Sequence, residues 1–212
     1  MSGSQDKTIQ FWHLTSGLLL NKIIVGSNST KGVYCLKLLT NNQIVSGQND
    51  GTLSIWNTTN GNLINNFIAH SNQINSIELL RNEVLASAGG DYKVKLWNLT
   101  NCSLMFTLNG HSAGVSDLKK LSDSLLASSD LNGAIKIWNW LNGSLLFNLS
   151  SHSAQVSNSL DLMSDDVLIS GSADSTIKLW QISTGTLLET ISSNINVKSL
   201  TMLKNGNLII YI

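Results

Sequence analysis

Serine, histidine and an acidic side chain recur together along this sequence at fixed spacing. Three histidines each stand 27 or 28 residues before a tryptophan, and a serine stands ten residues before the same tryptophan. Serine, histidine and aspartate form the triads of many hydrolases, in which the histidine takes the proton of a serine nucleophile. Acyl transfer is therefore the first chemistry to consider.

The repetition of the pattern argues against that chemistry, because a nucleophilic triad is built once, beside one oxyanion hole. A serine is followed after four residues by an acid or its amide, and after six more by a tryptophan, in five copies. The copies are Ser2, Asp6, Trp12; Ser46, Asp50, Trp56; Ser87, Asp91, Trp97; Ser128, Asn132, Trp138; and Ser170, Asp174, Trp180. No catalytic residue and no metal ligand is predicted.

Each period of about 42 residues predicts four short strands. One period reads "INSIELL", "VLASAG", "KVKLWNL" and "LMFTL", separated by polar breaks, and the apolar residues alternate with period two. Gly-containing turns such as "TNGN" and "STGT" separate the third and fourth strands. No segment of ten or more residues has helical spacing, and the chain has no proline. The expected class is all-β.

This pattern resembles the WD-repeat β-propeller family over essentially the whole chain. The Trp-Asp dipeptide is degraded: Trp56, Trp97 and Trp138 are followed by asparagine, and Gly-His is intact only at Gly110-His111. The resemblance implies four-stranded antiparallel blades stacked about an axis, which bury their faces against one another.

The chain is expected to be a single propeller domain or fragment over residues 1–212. Its units are approximately 1–23 (half), 24–68, 69–109, 110–150, 151–191 and 192–212 (half). The halves are complementary, so 197–212 could pair with 2–23 and close a ring of five blades. The favoured alternative is a fragment of a larger propeller, because Ile210 occupies the serine position of the last unit.

The resemblance assigns the repeated polar residues to a structural hydrogen-bond network within each blade. Its members are His70, Ser87, Asp91, Trp97; His111, Ser128, Trp138; His152, Ser170, Asp174, Trp180; and Ser46, Asp50, Trp56. Two sets are expected to be weaker. Asn132 replaces the acid in the set of His111, so one charge-assisted bond should be lost, and Ser29 stands where the blade of Ser46 should have its histidine.

The resemblance also implies a partner-binding top face around the axial channel, formed three and five residues after each histidine position and just before each acid. The main candidates are Tyr34, Asn49, Gln73, Asn75, Leu131, Gln155 and Lys198. Only Lys198 among them is charged, so an acidic or basic partner would find little complement. The alternative is that these residues only solvate a scaffold.

Other features have structural interpretations. "GSNSTKG", residues 26–32, lacks the spacing of a phosphate-binding loop and predicts a loop between blades. Trp140, at a turn, is expected to be half exposed, either packed on a neighbouring turn or available as a rim contact. Cys35 and Cys102 have neither CxxC nor metal spacing, which favours reduced structural thiols.

Composition narrows the classes of partner. Thirteen basic and thirteen acidic residues cancel, so neither nucleic acid nor a membrane surface is an expected partner. No secretory signal is visible, and the expected location is intracellular, in cytoplasm or nucleus. No cofactor is expected.

The predicted function is a non-catalytic scaffold or adaptor that binds other proteins or peptides. One alternative is a regulatory or sensing region of a larger protein whose catalytic part lies outside this chain. Another is an enzyme that uses the axial channel, which would need converging carboxylates at the channel mouth.

Overall fold

Twenty-one short strands build the fold, as seen in a computed structural model that describes residues 1–25, 32–39, 42–81, 83–150, 152–203 and 205–211. Four sheets have four strands each and are called blades 1 to 4. Blade 1 holds β4 (Val33–Leu38), β5 (Gln43–Gln48), β6 (Thr52–Asn57) and β7 (Leu63–Ile68). Blade 2 holds β8 (Ile74–Arg81), β9 (Val84–Gly89), β10 (Val94–Asn98) and β11 (Ser103–Leu108).

Blade 3 holds β12 (Val115–Lys120), β13 (Leu125–Asp130), β14 (Ala134–Asn139) and β15 (Ser144–Ser150). Blade 4 holds β16 (Leu160–Ser164), β17 (Val167–Gly171), β18 (Thr176–Gln181) and β19 (Thr186–Ser192). In every blade the strands follow chain order and pair antiparallel. The part of the chain that the structure describes contains no helix long and apolar enough to cross a membrane.

Two smaller sheets flank the blades. One holds β1 (Ser2–Gly3), β2 (Thr8–Trp12) and β3 (Leu19–Ile24), and the other holds β20 (Ser199–Met202) and β21 (Leu208–Tyr211). The three-stranded sheet packs on blade 1, and the two-stranded sheet packs on blade 4. The closure of these halves into a fifth blade is wrong for the described residues, because no strand of the three-stranded sheet pairs with a strand of the two-stranded sheet.

The hydrophobic core is divided among the interfaces between neighbouring sheets. Val45, Leu53 and Ile55 of blade 1 pack with Ile74 and Leu85 of blade 2. Similar clusters join blades 2 and 3 and blades 3 and 4. A four-stranded sheet has two faces to bury and no helix to cover them, so successive blades must cover one another.

The first strands of successive blades contact one another and line the axis. Each third strand pairs with its fourth strand through a β-bulge beside the repeated tryptophan. A bulge increases the local twist of the strand pair. The repeated irregularity therefore accompanies the tryptophan in every blade.

Trp140 corrects an expectation. The ring is only 2 % exposed and packs with Leu80, Leu108 and Leu118 between blades 2 and 3. The guanidinium carbon of Arg81 lies 5.1 Å from the centre of a Trp140 ring. The expected half exposure is wrong because a residue of the preceding blade covers the turn.

Candidate functional site

The polar set of blade 2 is centred on the hydroxyl of Ser87. This oxygen lies 2.7 Å from His70 Nε2 and accepts a hydrogen bond of 2.9 Å from Trp97 Nε1. On the other side of the imidazole, His70 Nδ1 lies 2.8 Å from Asp91 Oδ1. The set thus links the loop before the first strand to the second and third strands.

Blade 4 repeats this geometry. His152 Nε2 lies 2.8 Å from Ser170 Oγ and His152 Nδ1 lies 2.9 Å from Asp174 Oδ2, while Trp180 donates to Ser170 at 2.9 Å. Order and distances match those of a hydrolytic triad, but both serines are fully buried. With an indole N–H already on the serine oxygen, the sets present no accessible nucleophile.

Burial and pairing set the protonation of these groups. Burial lowers the pKa of His70 and of His152, against the opposing effect of their aspartates. Burial raises the pKa of Asp174, but hydrogen bonds from Thr176, Ser153 and His152 outweigh it and lower that pKa to about 2. Near neutral pH these histidines are therefore neutral and their aspartates are ionised, so each polar group has a complementary partner.

Blade 3 corrects the prediction for Asn132. His111 Nδ1 lies 2.8 Å from Asp130 Oδ2, and Asp130 is fully buried. His111 Nε2 and Trp138 Nε1 lie 2.7 and 2.8 Å from Ser128 Oγ. The acid has moved two residues along the chain, so no charge-assisted bond is lost.

Asp130 stands two residues after Ser128, and a side chain at this position is directed toward the histidine of the same blade. In blade 2 this position is Gly89, where a Cβ would lie 2.3 Å from His70 Nδ1. A carboxylate at this position can therefore reach the Nδ1 atom of the histidine, as Asp130 does. The "SSD" of blade 3 against "SAG" of blade 2 was the available signal, and sequence reasoning missed it.

Blade 1 fills the same position with Gln48, which is fully buried. Its Nε2 donates to Ser54 Oγ at 2.7 Å and to Ser46 Oγ at 3.4 Å, and Trp56 donates to Ser46 at 2.9 Å. Asp50 accepts the backbone N–H of Thr52 at 3.0 Å. The expected substitution at Ser29 lies outside the described residues, as does most of the 26–32 loop.

The predicted top-face positions are tied together by a repeated backbone bond. The residue before each acid position donates its N–H to the residue three after the histidine position. Asn49 donates to Gly32 at 3.1 Å, Gly90 to Gln73 at 2.8 Å, Leu131 to Gly114 at 3.0 Å, and Ala173 to Gln155 at 3.0 Å. The two loops of each blade therefore present one continuous surface.

Four of the seven main candidates line one cavity at the centre of this face: Tyr34, Gln73, Asn75 and Leu131. Tyr34 is 47 % exposed and Leu131 is 43 % exposed. The other three, Asn49, Gln155 and Lys198, are absent from its described lining. Gln155 and Lys198 are exposed.

Charged side chains on the first strands were missed by the sequence reasoning. Lys37 of blade 1 pairs with Glu78 of blade 2, and Lys119 of blade 3 pairs with Asp161 of blade 4 at 2.6 Å. Opposite charges separated by 41 or 42 residues, one repeat period, were a readable signal. These pairs join neighbouring blades beside the axis.

Asp117 links three blades by hydrogen bonds, and none of the described lysines or arginines forms an ion pair with it. Its carboxylate accepts from Ser76 of blade 2 at 3.2 Å, from the Leu118 amide at 2.8 Å and from the Leu160 amide of blade 4 at 3.0 Å. Burial raises its pKa to about 6, with a smaller contribution from the charge of Glu78. The carboxylates beside the axis thus hold blades together.

No metal-binding group of three or more His, Cys, Asp or Glu side chains occurs within the described ranges. Cys35 and Cys102 are free thiols. Burial raises the pKa of Cys35 to about 12, so its thiolate is not populated near neutral pH.

Comparisons with solved structures agree with this architecture. The chain is similar to the computationally designed Ika8 protein, at 29 % identity and a TM-score of 0.81, over 96 % of this chain and 62 % of that one. It is also similar in fold to the WD40 β-propeller domain of Doa1, at 24 % identity and a TM-score of 0.82, over 98 % of this chain and 69 % of that one. This chain thus spans less than two thirds of the Ika8 chain.

Sequence comparison identifies the repeats directly. No curated protein matches the sequence significantly. A family described as "WD domain, G-beta repeat" matches residues 20–57, 61–98, 102–139 and 143–181. These ranges cover well over half of the chain. Together with the blades and their serine-centred sets, they show that the chain belongs to the WD40 repeat family.

Proposed function

We propose that this protein is a non-catalytic interaction scaffold that binds another protein at its top face. WD40 propellers typically serve in protein interaction, and the family is generally non-catalytic. The observation that carries the proposal is that the repeated serine and histidine side chains are hydrogen-bonded to each other inside the blades. Ser87, Ser128 and Ser170 each have a histidine and an indole bound to the hydroxyl and are fully buried.

The top face supports the second half of the proposal. It exposes two large apolar side chains, Tyr34 and Leu131, and the other described residues that line its central cavity carry amide or hydroxyl side chains. Aromatic anchors among polar groups are typical of protein interfaces. Buried, paired residues below the face keep its loops in place.

The test is affinity capture from an extract of the source cells, with the full chain as bait. We compare the wild type with the top-face pair Tyr34→Ala/Leu131→Ala and a matched pair on the outer strands, Leu146→Ala/Leu188→Ala. The tyrosine and the three leucines that are replaced are each 43 to 50 % exposed, so the two pairs remove similar amounts of exposed apolar surface.

At least one captured protein should be lost with the top-face pair and retained with the outer pair. That protein, once purified, should bind the wild-type chain directly in isothermal titration calorimetry. Equal capture by all three baits would contradict a top-face function. Loss with the outer pair alone would place the interaction on the rim.

A further inference from the structure

Five asparagines in the chain are followed directly by glycine: Asn60, Asn109, Asn132, Asn142 and Asn205. An asparagine in this position can lose its side-chain amide without an enzyme, because the main-chain nitrogen of the next residue attacks the side-chain carbonyl. Glycine favours the attack, because it has no Cβ and adopts backbone conformations that other residues rarely adopt. All five asparagines are exposed, so exposure does not distinguish among them.

The main-chain N–H of the following glycine does distinguish them. In four of the five pairs this N–H donates a hydrogen bond within its turn: Gly61 to Asn57 at 2.9 Å, Gly133 to Asp130 at 3.2 Å, Gly143 to Asn139 at 2.9 Å and Gly206 to Leu203 at 2.9 Å. The N–H of Gly110 makes no hydrogen bond within the described part of the chain. A nitrogen that already donates must give up its hydrogen bond before it can attack, and the nitrogen of Gly110 has none to give up.

The conformation of the chain at Asn109 agrees with this difference. Gly110 has a φ of 147°, whereas the four other glycines have φ values of 74° to 89° and are held in left-handed turns by their hydrogen bonds. Asn109 Nδ2 donates to the Thr107 carbonyl at 3.4 Å, which is longer than usual for a hydrogen bond of this kind. The side chain of Asn109 is therefore only weakly restrained.

We propose that Asn109 is a site of spontaneous deamidation in the folded chain. The Gly110 nitrogen loses its proton and bonds to Cγ of Asn109, the bond from Cγ to the side-chain nitrogen breaks, and ammonia leaves with that proton. Water then opens the cyclic imide and returns a proton to the Gly110 nitrogen. Opening at Cγ gives aspartate, and opening at the main-chain carbonyl gives isoaspartate, in which the main chain runs through the former side chain. Water is the only co-reactant, and nothing is oxidised or reduced.

Isoaspartate changes the loop that carries His111. Asn109 and Gly110 form a two-residue link between Leu108, which is 1 % exposed in the core between blades 2 and 3, and His111, which is also buried. Isoaspartate adds one main-chain atom to this link, or about 1.5 Å of length. Because both ends of the link are held by packing, the added length displaces the imidazole from its serine and aspartate partners in blade 3.

Ageing of the purified full chain in mildly alkaline buffer, in which the glycine nitrogen loses its proton more readily, tests the proposal. The five asparagines lie on five different tryptic peptides, so mass spectrometry follows every site in one sample. Deamidation at Asn109 should be about two- to tenfold faster than at each of the other four sites, a factor that corresponds to one backbone hydrogen bond. Fragmentation that separates the isomers should find isoaspartate as well as aspartate there.

The same chain unfolded in guanidinium chloride is the matched control. All five glycines then lack their native hydrogen bonds, so the five sites should react at comparable rates. Equal rates at the five sites of the folded chain, or a faster reaction at any of the other four, would overturn the assignment of Asn109. Aspartate without isoaspartate would overturn the route through the cyclic imide.

Asn109→Gln tests the effect on blade 3, because its side chain is one carbon too long to form the same imide ring. The urea midpoint of the wild type, followed by tryptophan fluorescence, should fall as isoaspartate accumulates. The midpoint of Asn109→Gln, aged alongside, should stay in place. An equal change in the two proteins would contradict the displacement of His111.

Discussion

Replacing Asp130 with alanine removes a carboxylate on which three donors converge. His111 Nδ1 lies 2.8 Å from Oδ2, and the backbone amides of Asn132 and Ala134 each donate to Oδ1 at 3.0 Å. Burial raises the pKa of Asp130, but the hydrogen bonds from His111 and from both amides outweigh burial, so the pKa lies below its usual value. The folded state therefore favours the ionised acid.

The expected loss follows from leaving buried donors without a partner. A hydrogen bond to a charged group is worth about 1.5–3 kcal/mol, and removing one member of a buried pair costs about 3–5 kcal/mol. Because contributions within one network are not additive, we expect Asp130→Ala to lower the free energy of unfolding by about 4 kcal/mol. For a chain of this size that corresponds to roughly 8–16 °C in Tm.

Urea denaturation followed by tryptophan fluorescence measures the loss. The control is Asn132→Ala, which should change the free energy of unfolding by less than about 0.5 kcal/mol, since Asn132 is exposed. The double variant Asp130→Gly/Asn132→Asp copies Gly89 and Asp91 of blade 2 and should recover most of the stability. Equal losses for the two alanine variants, or no recovery in the double variant, would refute the reasoning.

Three further predictions concern stability, each measured by urea denaturation. Because burial raises the pKa of Asp117 to about 6, its ionised form destabilises the fold above that pH. The wild type should therefore gain stability relative to Asp117→Asn as the pH falls from about 7 to 4, by at most about 3 kcal/mol; parallel pH profiles would contradict this. Gly89→Ala should cost more than about 2 kcal/mol, because its Cβ would lie within 2.5 Å of the imidazole and carboxylate of its own blade. Gly17→Ala, with nothing within 4 Å, should cost only about 1 kcal/mol for its positive φ, and equal losses would argue against the clash. Trp140→Ala should cost about 3–5 kcal/mol, clearly more than Trp12→Ala, whose ring is 41 % exposed, and the reverse order would show that the ring is not a core residue.

Strand content and blade order followed from local information. Alternating apolar residues and glycine-containing turns act over a few residues, so segments such as "KVKLWNL" indicated a strand without knowledge of its neighbours. The tryptophan spacing then predicted how many sheets form. The all-β class, the four complete blades and the membership of most polar sets were therefore readable from the sequence.

Other features depended on atoms that are distant in sequence. Whether Asp130 or Asn132 reaches His111 depends on how the second strand presents its side chains to the loop of the same blade. The burial of Trp140 depends on Arg81, 59 residues earlier, which belongs to another blade. The Trp140 contact leaves no local pattern, because its partners reach the ring only after the blades stack. The Asp130 contact lies within one blade and is marked in the sequence only by the difference between "SSD" and "SAG".

The sequence by itself thus determined the repeating unit, since hydrogen bonding within a sheet and turn geometry are local properties. The tertiary structure alone decided how units face each other. It buried Trp140 between blades 2 and 3, packed the three-stranded sheet on blade 1 and the two-stranded sheet on blade 4, and formed a cavity lined by uncharged residues among those described. The physical reason is that side-chain burial and electrostatic pairing depend on the space between blades, which exists only after the sheets have packed.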